Sequence, residues 1–446
     1  MHIKNKTAGI YTLGCKVNQY ESQAIAEALE SKGFGILPPS SVCDVYIINT
    51  CTVTGESDRK ARQFIRRAIS KNPSAYVIVT GCMAQTAKEA VAAIEGVDVV
   101  IGNTDKLSAA DIAEKLVTDG SKNKQTHINV QSIESAPFEK MNITAFERTR
   151  AYVKIEDGCE SKCTYCIIPY ARGKIRSKAP EDVIREVTEL TEGGCREVVL
   201  TGIETASYGK DLEGADLASL LCDIDKIPGI GRVRLGSLDP SLIKKHFVEK
   251  IAPLSCLAPH FHLSLQSGSD KVLAAMKRKY NAEMAMRAIE LLREYIPRVK
   301  FTTDIIVGFP GESEQDFLDT AEFVKKAGFL TTHIFPYSKR AGTPAATMPG
   351  QISKEEKSKR LHLLSEIEAS SRKTILENEI ACHPITQVLF ETFRDGVCTG
   401  HTADFLEVRV PSKAPLHARM LDVRLTSTDG DVCFGELINT PKEEII

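Results

Sequence analysis

Three short apolar runs open the chain: AGIYTLGC, DVYIINTC and AYVIVTGC. Each is rich in β-branched or aromatic residues, the composition of a strand. Between them lie amphipathic stretches, ESQAIAEALESKGF and ESDRKARQFIRRAISKNP, which read as helices, the second stopped by Pro73. This β-α-β-α order predicts a parallel sheet. Each of the three runs ends in a cysteine: Cys15, Cys51 and Cys82.

The polar stretch TDGSKNKQTHINV loses the periodicity and reads as the start of a linker. From Ala151 the alternation resumes through AYVKIEDGC, EVVLTGIE, RVRLGSLD, HFHLSLQSG, TTDIIVGFPG and THIFPYS, with helical stretches after them near 180–193, 215–226, 241–252, 270–295 and 313–327. Six strands with right-handed crossovers suit a partial parallel barrel, although periodicity alone leaves an open sheet possible. A long charged helix near 353–379 leads out of it. The last segments, TQVLFE, FLEVRV, LDVRLT and CFGELI, are short strands bounded by turn signals and predict a small all-β barrel. The expected fold class is therefore α/β. An open parallel α/β domain spans 5–117, a linker 118–144, a partial (β/α)6 barrel 145–375, and a β-barrel domain 376–443.

Composition narrows the function classes. The 446 residues are 42% hydrophobic and 26% charged, as in ordinary globular proteins, and no run of about 18 apolar residues suggests a membrane span. The opening residues lack an apolar signal-peptide core, so a cytoplasmic protein is expected. A net charge of −2 gives no global basic field for nucleic acid, so any RNA binding must come from local patches. Thirteen cysteines point to metal ligands and reduced thiols rather than a disulfide framework.

The densest chemistry is EDGCESKCTYC, a C-x3-C-x2-C triplet of Cys159, Cys163 and Cys166 behind the first barrel strand. Three thiolates hold three corners of a [4Fe–4S] cube and leave one iron open to a substrate. A structural zinc would need a fourth ligand, and none lies close in sequence, His262 being distant. GCESKCTYC in this context resembles the radical S-adenosylmethionine (SAM) superfamily. The resemblance implies that the open iron chelates SAM and that reductive cleavage yields a 5′-deoxyadenosyl radical. TGIETASYG, SLQSGSD and DIIVGFPGES resemble later elements of the same family at strand carboxyl ends, the face on which barrel sites are built. On that basis Tyr165, Gly202, Glu204, Ser237, Gln266, Asp304 and Gly308 are candidate SAM-binding residues; singly, each also reads as part of an ordinary loop.

Cys15, Cys51 and Cys82 lie 36 and 31 residues apart, too far for a local metal knuckle. Yet each ends a predicted parallel strand, and neighbouring strands lie about 4.8 Å apart. The three thiolates would meet at one sheet edge, where a second cube with its own free iron would fit; otherwise they pack as small hydrophobes. TLGCKVNQYES, INTCTVTGESDRKARQ and VTGCMAQ resemble the N-terminal domain of methylthiotransferases. Those enzymes use the second cluster to deliver sulfur. Cys43, Cys195, Cys222, Cys256, Cys382, Cys398 and Cys433 fall outside both sets and read as structural.

The resemblance also bears on the substrate. VCTGHTADFLEVRVP resembles the tRNA-binding TRAM domain, with Phe405 where a tyrosine is usual. Residues 381–446 hold six Lys and Arg against ten Asp and Glu, unlike a basic RNA binder, so Arg409, Arg419 and Arg424 are expected to give positioned contacts rather than a general grip. Arg59, Lys60, Arg62, Arg66 and Arg67 form a basic helix face that reads either as a phosphate contact or as a solvated surface. LGCKVNQYES resembles the branch that converts N6-threonylcarbamoyladenosine beside the tRNA anticodon into its 2-methylthio derivative. That branch implies two SAM roles, tRNA as partner, and an electron donor such as flavodoxin or ferredoxin. Alternatives are another tRNA adenosine, a ribosomal-protein side chain, or a non-catalytic RNA-associated Fe–S sensor.

Overall fold

The computed structural model describes residues 6–120, 122, 125–145 and 149–438; the outermost positions of the expected domains, 5 and 439–443, lie outside the described residues. The first unit is a six-stranded, all-parallel sheet built from β1 (Lys6–Thr12), β2 (Phe34–Leu37), β3 (Val45–Thr50), β4 (Tyr76–Gly81), β5 (Val99–Ile101) and β6 (His127–Asn129), in the order β2-β1-β3-β4-β5-β6. Every residue of β3 and β4 is buried because helices cover both faces. Helix Gly55–Lys71 shows how local chemistry sets the boundaries. Thr54 Oγ1 accepts the Ser57 N–H at 3.1 Å, Glu56 and Asp58 occupy the first turn, and Ala61, Ile65 and Ala68 form the inward stripe.

Two strands depart from the sequence reading. The helical pattern expected to reach Phe34 ends at Ser31, and Phe34–Leu37 turns into an edge strand after Gly33, whose φ of +81° breaks the helix. His127–Asn129, inside the expected linker, adds the sixth strand. Three residues leave too short a pattern to be read from periodicity.

The central unit has six parallel strands in two sheets of three: β7 (Ala151–Lys154), β10 (Glu197–Thr201) and β11 (Arg232–Leu235), then β12 (His260–Gln266), β13 (Lys300–Val307) and β14 (Thr331–Pro336). Parallel bridges Val233–Leu257 and Leu238–Leu263 join the sheets, giving an open barrel with helices outside. Between β7 and β10, the two-residue strands β8 (Glu156–Asp157) and β9 (Arg176–Ser177) pair antiparallel and close the base of the cysteine-rich loop. The stretch expected as one helix at 270–295 is two, Asp270–Ala275 and Ala282–Tyr295. The second restarts on an N-cap at Asn281, whose Oδ1 accepts the Met284 N–H.

The 29-residue helix Lys354–Cys382 leads to a closed barrel of β15 (Ile385–Arg394), β16 (Val397–Thr402), β17 (Glu407–Pro411), β18 (Met420–Thr428) and β19 (Cys433–Leu437), ordered β15-β16-β17-β19-β18. It is the small all-β barrel the sequence predicts, with β16 as one more strand than the apolar runs indicate. It seats against the amino ends of the central strands. Arg232 donates to the Gln387 and His401 carbonyls at 3.1 and 3.3 Å, Arg234 to the Ala403 carbonyl at 3.1 Å, and Lys300 pairs with Glu379 at 2.5 Å. Behind this seam Glu197 takes Arg150 at 2.6 Å and Arg234 at 3.0 Å. Burial alone would raise its carboxyl, but these arginines, with Arg232, hold it at about 2.

Candidate active site at the domain junction

The C-x3-C-x2-C loop leaves β8 through Gly158, whose φ is +88°. A Cβ there would lie 1.9 Å from the Lys174 carbonyl, so only glycine lets the two arms of the loop close. The Cys159 N–H bonds the Gly173 carbonyl at 2.9 Å and completes the closure. All three thiols then face one cavity of about 360 Å³. Tyr165, Glu204, Ser237, Gln266 and Asp304 line the same cavity. Gly202 and Gly308 do not. Gly202 stacks its backbone on Glu156, where a Cβ would meet Oε2 at 2.6 Å, and Gly308 packs under Lys357. Gln266 holds a φ of +71° at a register shift in β12, a strained backbone of the kind found at ligand sites.

Donors reach all three sulfurs, and Cys159 Sγ itself donates to Glu204 Oε2 at 3.1 Å. Cys159 Sγ accepts the Ser161 N–H at 3.4 Å, Cys166 Sγ the Ile168 N–H at 3.4 Å, and Cys163 Sγ an Arg278 N–H at 3.2 Å. Burial pushes the Cys166 thiol up to about 11, and raises Cys159 further with help from the neighbouring Glu204. A cation coordinated to these sulfurs would reverse that, since a coordinating thiol is deprotonated. The donor set therefore fits an Fe–S cluster bound through three thiolates.

The second trio stands at the carboxyl edge of the first sheet. Thr50 and Gly81 are cross-strand partners, so Cys51 and Cys82, one residue further on, leave neighbouring strands side by side. Cys15 follows β1 and precedes the helix Lys16–Ser31. Two glycines permit the approach. At Gly14 (φ +99°) a Cβ would lie 2.9 Å from Cys51 Sγ, and at Gly81 (φ +98°) it would lie 2.4 Å from the Thr50 carbonyl. Cys15 is solvent-accessible yet hemmed in by protein, and that desolvation pushes its thiol up to about 11.

Between the trios lies a buried ion network that no sequence pattern announces. Arg172, on the short helix that follows Cys166, donates Nε to Cys82 Sγ at 3.3 Å and Nη1 to Glu21 at 2.6 Å and Asp157 at 3.2 Å. Lys106 and Lys154 also pair with Glu21, Lys154 at 3.1 Å. These three cations are at most 1% exposed, and they outnumber the two carboxylates. Arg176 adds a fourth cation beside Asp157, and Glu139 and Glu156 are further carboxylates nearby. Buried charges persist only where they are paired, and Arg172 carries this network to the sulfur of Cys82. A cluster bound there would deprotonate these sulfurs and give Arg172 an anionic partner. The second trio thus also fits an Fe–S cluster.

Arg172 and Arg278 were missing from the sequence reading because arginine in ARG or MKRKY looks like ordinary surface charge. The remaining candidates are scattered. Arg409 is exposed and paired with Glu407 at 2.9 Å, Arg424 is exposed and opposite Glu436 in the β18–β19 ladder, and Arg419 is half-buried at the seam with the central barrel. Phe405 turns inward. Its ring stacks on His260 and His401 at 4.5 and 4.8 Å, with the Arg234 guanidinium 4.7 Å from its centroid, so it plugs the barrel floor rather than facing RNA. A separate cavity of about 380 Å³ between β1, the first helix and β7 contains no thiol.

An open parallel barrel with a thiol trio at its carboxyl face defines a radical SAM enzyme, and comparisons with known proteins agree. Residues 153–324 match the Radical SAM superfamily, and residues 7–102 match Uncharacterized protein family UPF0004. A threonylcarbamoyladenosine tRNA methylthiotransferase of Bacillus subtilis is 37% identical across 98% of both chains. One from Thermotoga maritima is 41% identical over 84% of this chain and 85% of its own. A tRNA-2-methylthio-N(6)-dimethylallyladenosine synthase of Carboxydothermus hydrogenoformans is 38% identical over 84% of this chain and 86% of its own. Among solved structures, the radical SAM methyltransferase TsrM from Kitasatospora setae superposes with a TM-score of 0.55 over 77% of both chains at 14% identity, a likeness of fold alone. The chain belongs to the radical SAM methylthiotransferase family, whose cofactors are two [4Fe–4S] clusters and SAM. No helix among the described residues is long and apolar enough to cross a membrane.

Proposed function

We propose that this enzyme installs a methylthio group at C2 of N6-threonylcarbamoyladenosine in the anticodon loop of tRNA. The observation that carries this reading is the junction itself. Two thiol trios, from two sheets, are tied together by one arginine that touches Cys82 and is anchored six residues after Cys166. Cys159, Cys163 and Cys166 would hold the SAM-binding cluster, and Cys15, Cys51 and Cys82 the sulfur-delivering one. With its cluster and SAM bound, the barrel site supplies a carbon radical able to take hydrogen from an unreactive ring carbon.

The chain's own residues do the rest. Glu204, Ser237 and Gln266 offer polar groups to SAM inside the cavity, which Asp304 also lines. Val53 and Thr54, from the loop after Cys51, line the same cavity, so the first domain reaches the radical site directly. Arg340 fastens this contact by pairing with Asp58 at 2.8 Å and bonding Thr52 at 2.7 Å. The target base is unpaired in a loop, so drawing it in is cheap. Phosphate contacts come from the exposed arginines of Gly55–Lys71, the helix that follows the cavity-lining Thr54, and from the small β-barrel, through Arg409, Arg419 and Arg424. The two barrel candidates Arg409 and Arg424 face carboxylates, which weakens their share. A flavodoxin- or ferredoxin-like donor would reduce the clusters. The choice of N6-threonylcarbamoyladenosine follows LGCKVNQYES and the named activity of relatives aligned over nearly the whole chain.

The test is mass spectrometry of tRNA nucleosides from cells with and without the gene. Loss of the 2-methylthio derivative of N6-threonylcarbamoyladenosine is expected. Loss of the dimethylallyl counterpart alone would overturn the substrate assignment.

A further inference from the structure

A parallel barrel usually fills its interior with packed apolar side chains. Here the period-two alternation sends Phe261, Leu263, Phe301 and Ile305 outward into the helix-covered core. On the alternate positions His262, Asp304 and His333 line the interior. Asp304 and His333 are direct partners across β13–β14, and the ligating atoms of all three residues lie within 4.8 Å of one another. Thr302 Oγ1 fixes the His262 ring through Nδ1 at 2.9 Å, and His262 Nε2 stands 3.2 Å from Asp304 Oδ2. The exposed His333 ring has no hydrogen-bond partner among the described residues. Asp304 also lines the thiol cavity, so this polar wall is continuous with the reaction site.

Lys16, the residue after Cys15, couples electrostatically to two of the same groups, Asp304 and His333. Its amine lies within the fields of Asp304, Arg150, Arg234 and His333. Arg150, Arg232 and Arg234 share Glu197, and Arg150 also pairs with Glu391. Lys16 is solvent-accessible, and no carboxylate or carbonyl among the described residues comes within hydrogen-bonding distance of its amine. Among the described residues, Lys16 is thus a cation with no hydrogen-bonded anion, coupled to a carboxylate and to an imidazole with no hydrogen-bond partner, on a wall that Asp304 joins to the thiol cavity.

We propose that Lys16, His262, Asp304 and His333 form a specificity subsite for the acidic, ureido-bearing N6 substituent of the target adenosine. The inference rests on the substrate reading above. A threonylcarbamoyl group carries a carboxylate, a hydroxyl and ureido N–H donors. Lys16 takes the carboxylate in a charge-assisted bond, Asp304 accepts N–H or O–H, and His333 completes the set. An apolar N6 substituent would strip water from these groups and return nothing, so the subsite rejects it.

The test uses the full chain with both clusters reconstituted anaerobically. The probes are two anticodon stem-loops, one with N6-threonylcarbamoyladenosine and one in which its carboxylate is a carboxamide. Dissociation constants are read by fluorescence anisotropy and product by mass spectrometry. Wild type is expected to prefer the acid by about tenfold, the scale of a charge-assisted hydrogen bond. Lys16→Met should lose that preference without losing iron or changing the visible spectrum, and Lys16→Arg should restore most of it. His333→Ala should raise KM for the acid with little change in kcat. Equal affinity of wild type for both stem-loops, with both methylthiolated, would overturn the subsite alone. Methylthiolation of neither would overturn the substrate reading and the subsite with it. A stoichiometric divalent ion lost on His333→Ala would replace the subsite with a metal site.

Discussion

The two cysteine trios reach one junction by opposite routes. Cys159, Cys163 and Cys166 sit within eight consecutive residues, on a loop closed by its own two-residue ladder and by a glycine that tolerates no Cβ. Cys15, Cys51 and Cys82 come from three strands and meet only because β1, β3 and β4 are neighbours in register. The first arrangement depends on a loop and the second on a whole sheet. Damage to the sheet should therefore strip the second trio while sparing the first. Arg172, which belongs to the loop of one and touches a sulfur of the other, should be the point at which the distinction fails.

The largest expected effects separate the trios directly. Cys163→Ala should reduce 5′-deoxyadenosine formation from SAM to background and abolish thiolation. Cys51→Ala should retain RNA-dependent SAM cleavage, lose the methylthio product, and lower iron from about eight to about four per chain. Undiminished SAM cleavage in the first variant, or undiminished product in the second, would reverse the assignment of the two trios.

Arg172→Met comes next. Glu21 keeps Lys106 and Lys154, and Asp157 keeps Lys154 and Arg176, so the cost is that of lost buried hydrogen bonds, about 1–3 kcal/mol. Thermal unfolding should fall accordingly, with iron lost from both sites. Arg172→Lys keeps the charge but not the fork that reaches Cys82, Glu21, Asp157 and Asn18 at once, so it should recover stability better than iron content. Selective loss of the SAM-site iron alone would contradict its role as a bridge.

Gly81→Ala is milder and more selective. The substituted Cβ would lie 2.4 Å from the Thr50 carbonyl in a left-handed backbone, so the turn ahead of Cys82 must shift at a cost of about 1–3 kcal/mol. Iron should drop toward the Cys51→Ala level while SAM cleavage persists. Retention of all iron would mean that the sheet edge holds its cluster more loosely than the close packing of Thr50 and Gly81 suggests.

The same contrast explains what the sequence made readable. The local trio, the strand order and the small β-barrel follow from spacing and period, which are written in consecutive residues. The long-range trio was legible only because each cysteine occupies the same slot after an apolar run. Glu21, Lys106, Lys154, Asp157 and Arg172 were not legible. They are scattered from position 21 to 172, and burial turns ordinary charged residues into a network only when two domains close over them. Phe405 adds a detail the sequence left open. Its segment indicated an RNA-binding barrel, while its left-handed backbone, φ +76°, and its stacking on His260 show a plug in the floor of the central domain.

The smallest expected effect asks which region grips RNA. On the side of the long-range trio, Arg62, Arg66 and Arg67 are exposed on the helix after Cys51 and make no ion pair among the described residues. On the small β-barrel, Arg409 is held by Glu407 and Arg424 faces Glu436. Each phosphate contact removed lowers the salt slope of binding by about one. Arg66→Gln with Arg67→Gln should therefore flatten the slope by about two and weaken tRNA binding severalfold. Arg409→Gln with Arg424→Gln should change it less, because those charges are already partly neutralised. Filter binding across a salt series would distinguish them. A larger loss from the barrel pair would place the RNA grip on the β-barrel and leave the basic helix as solvated surface.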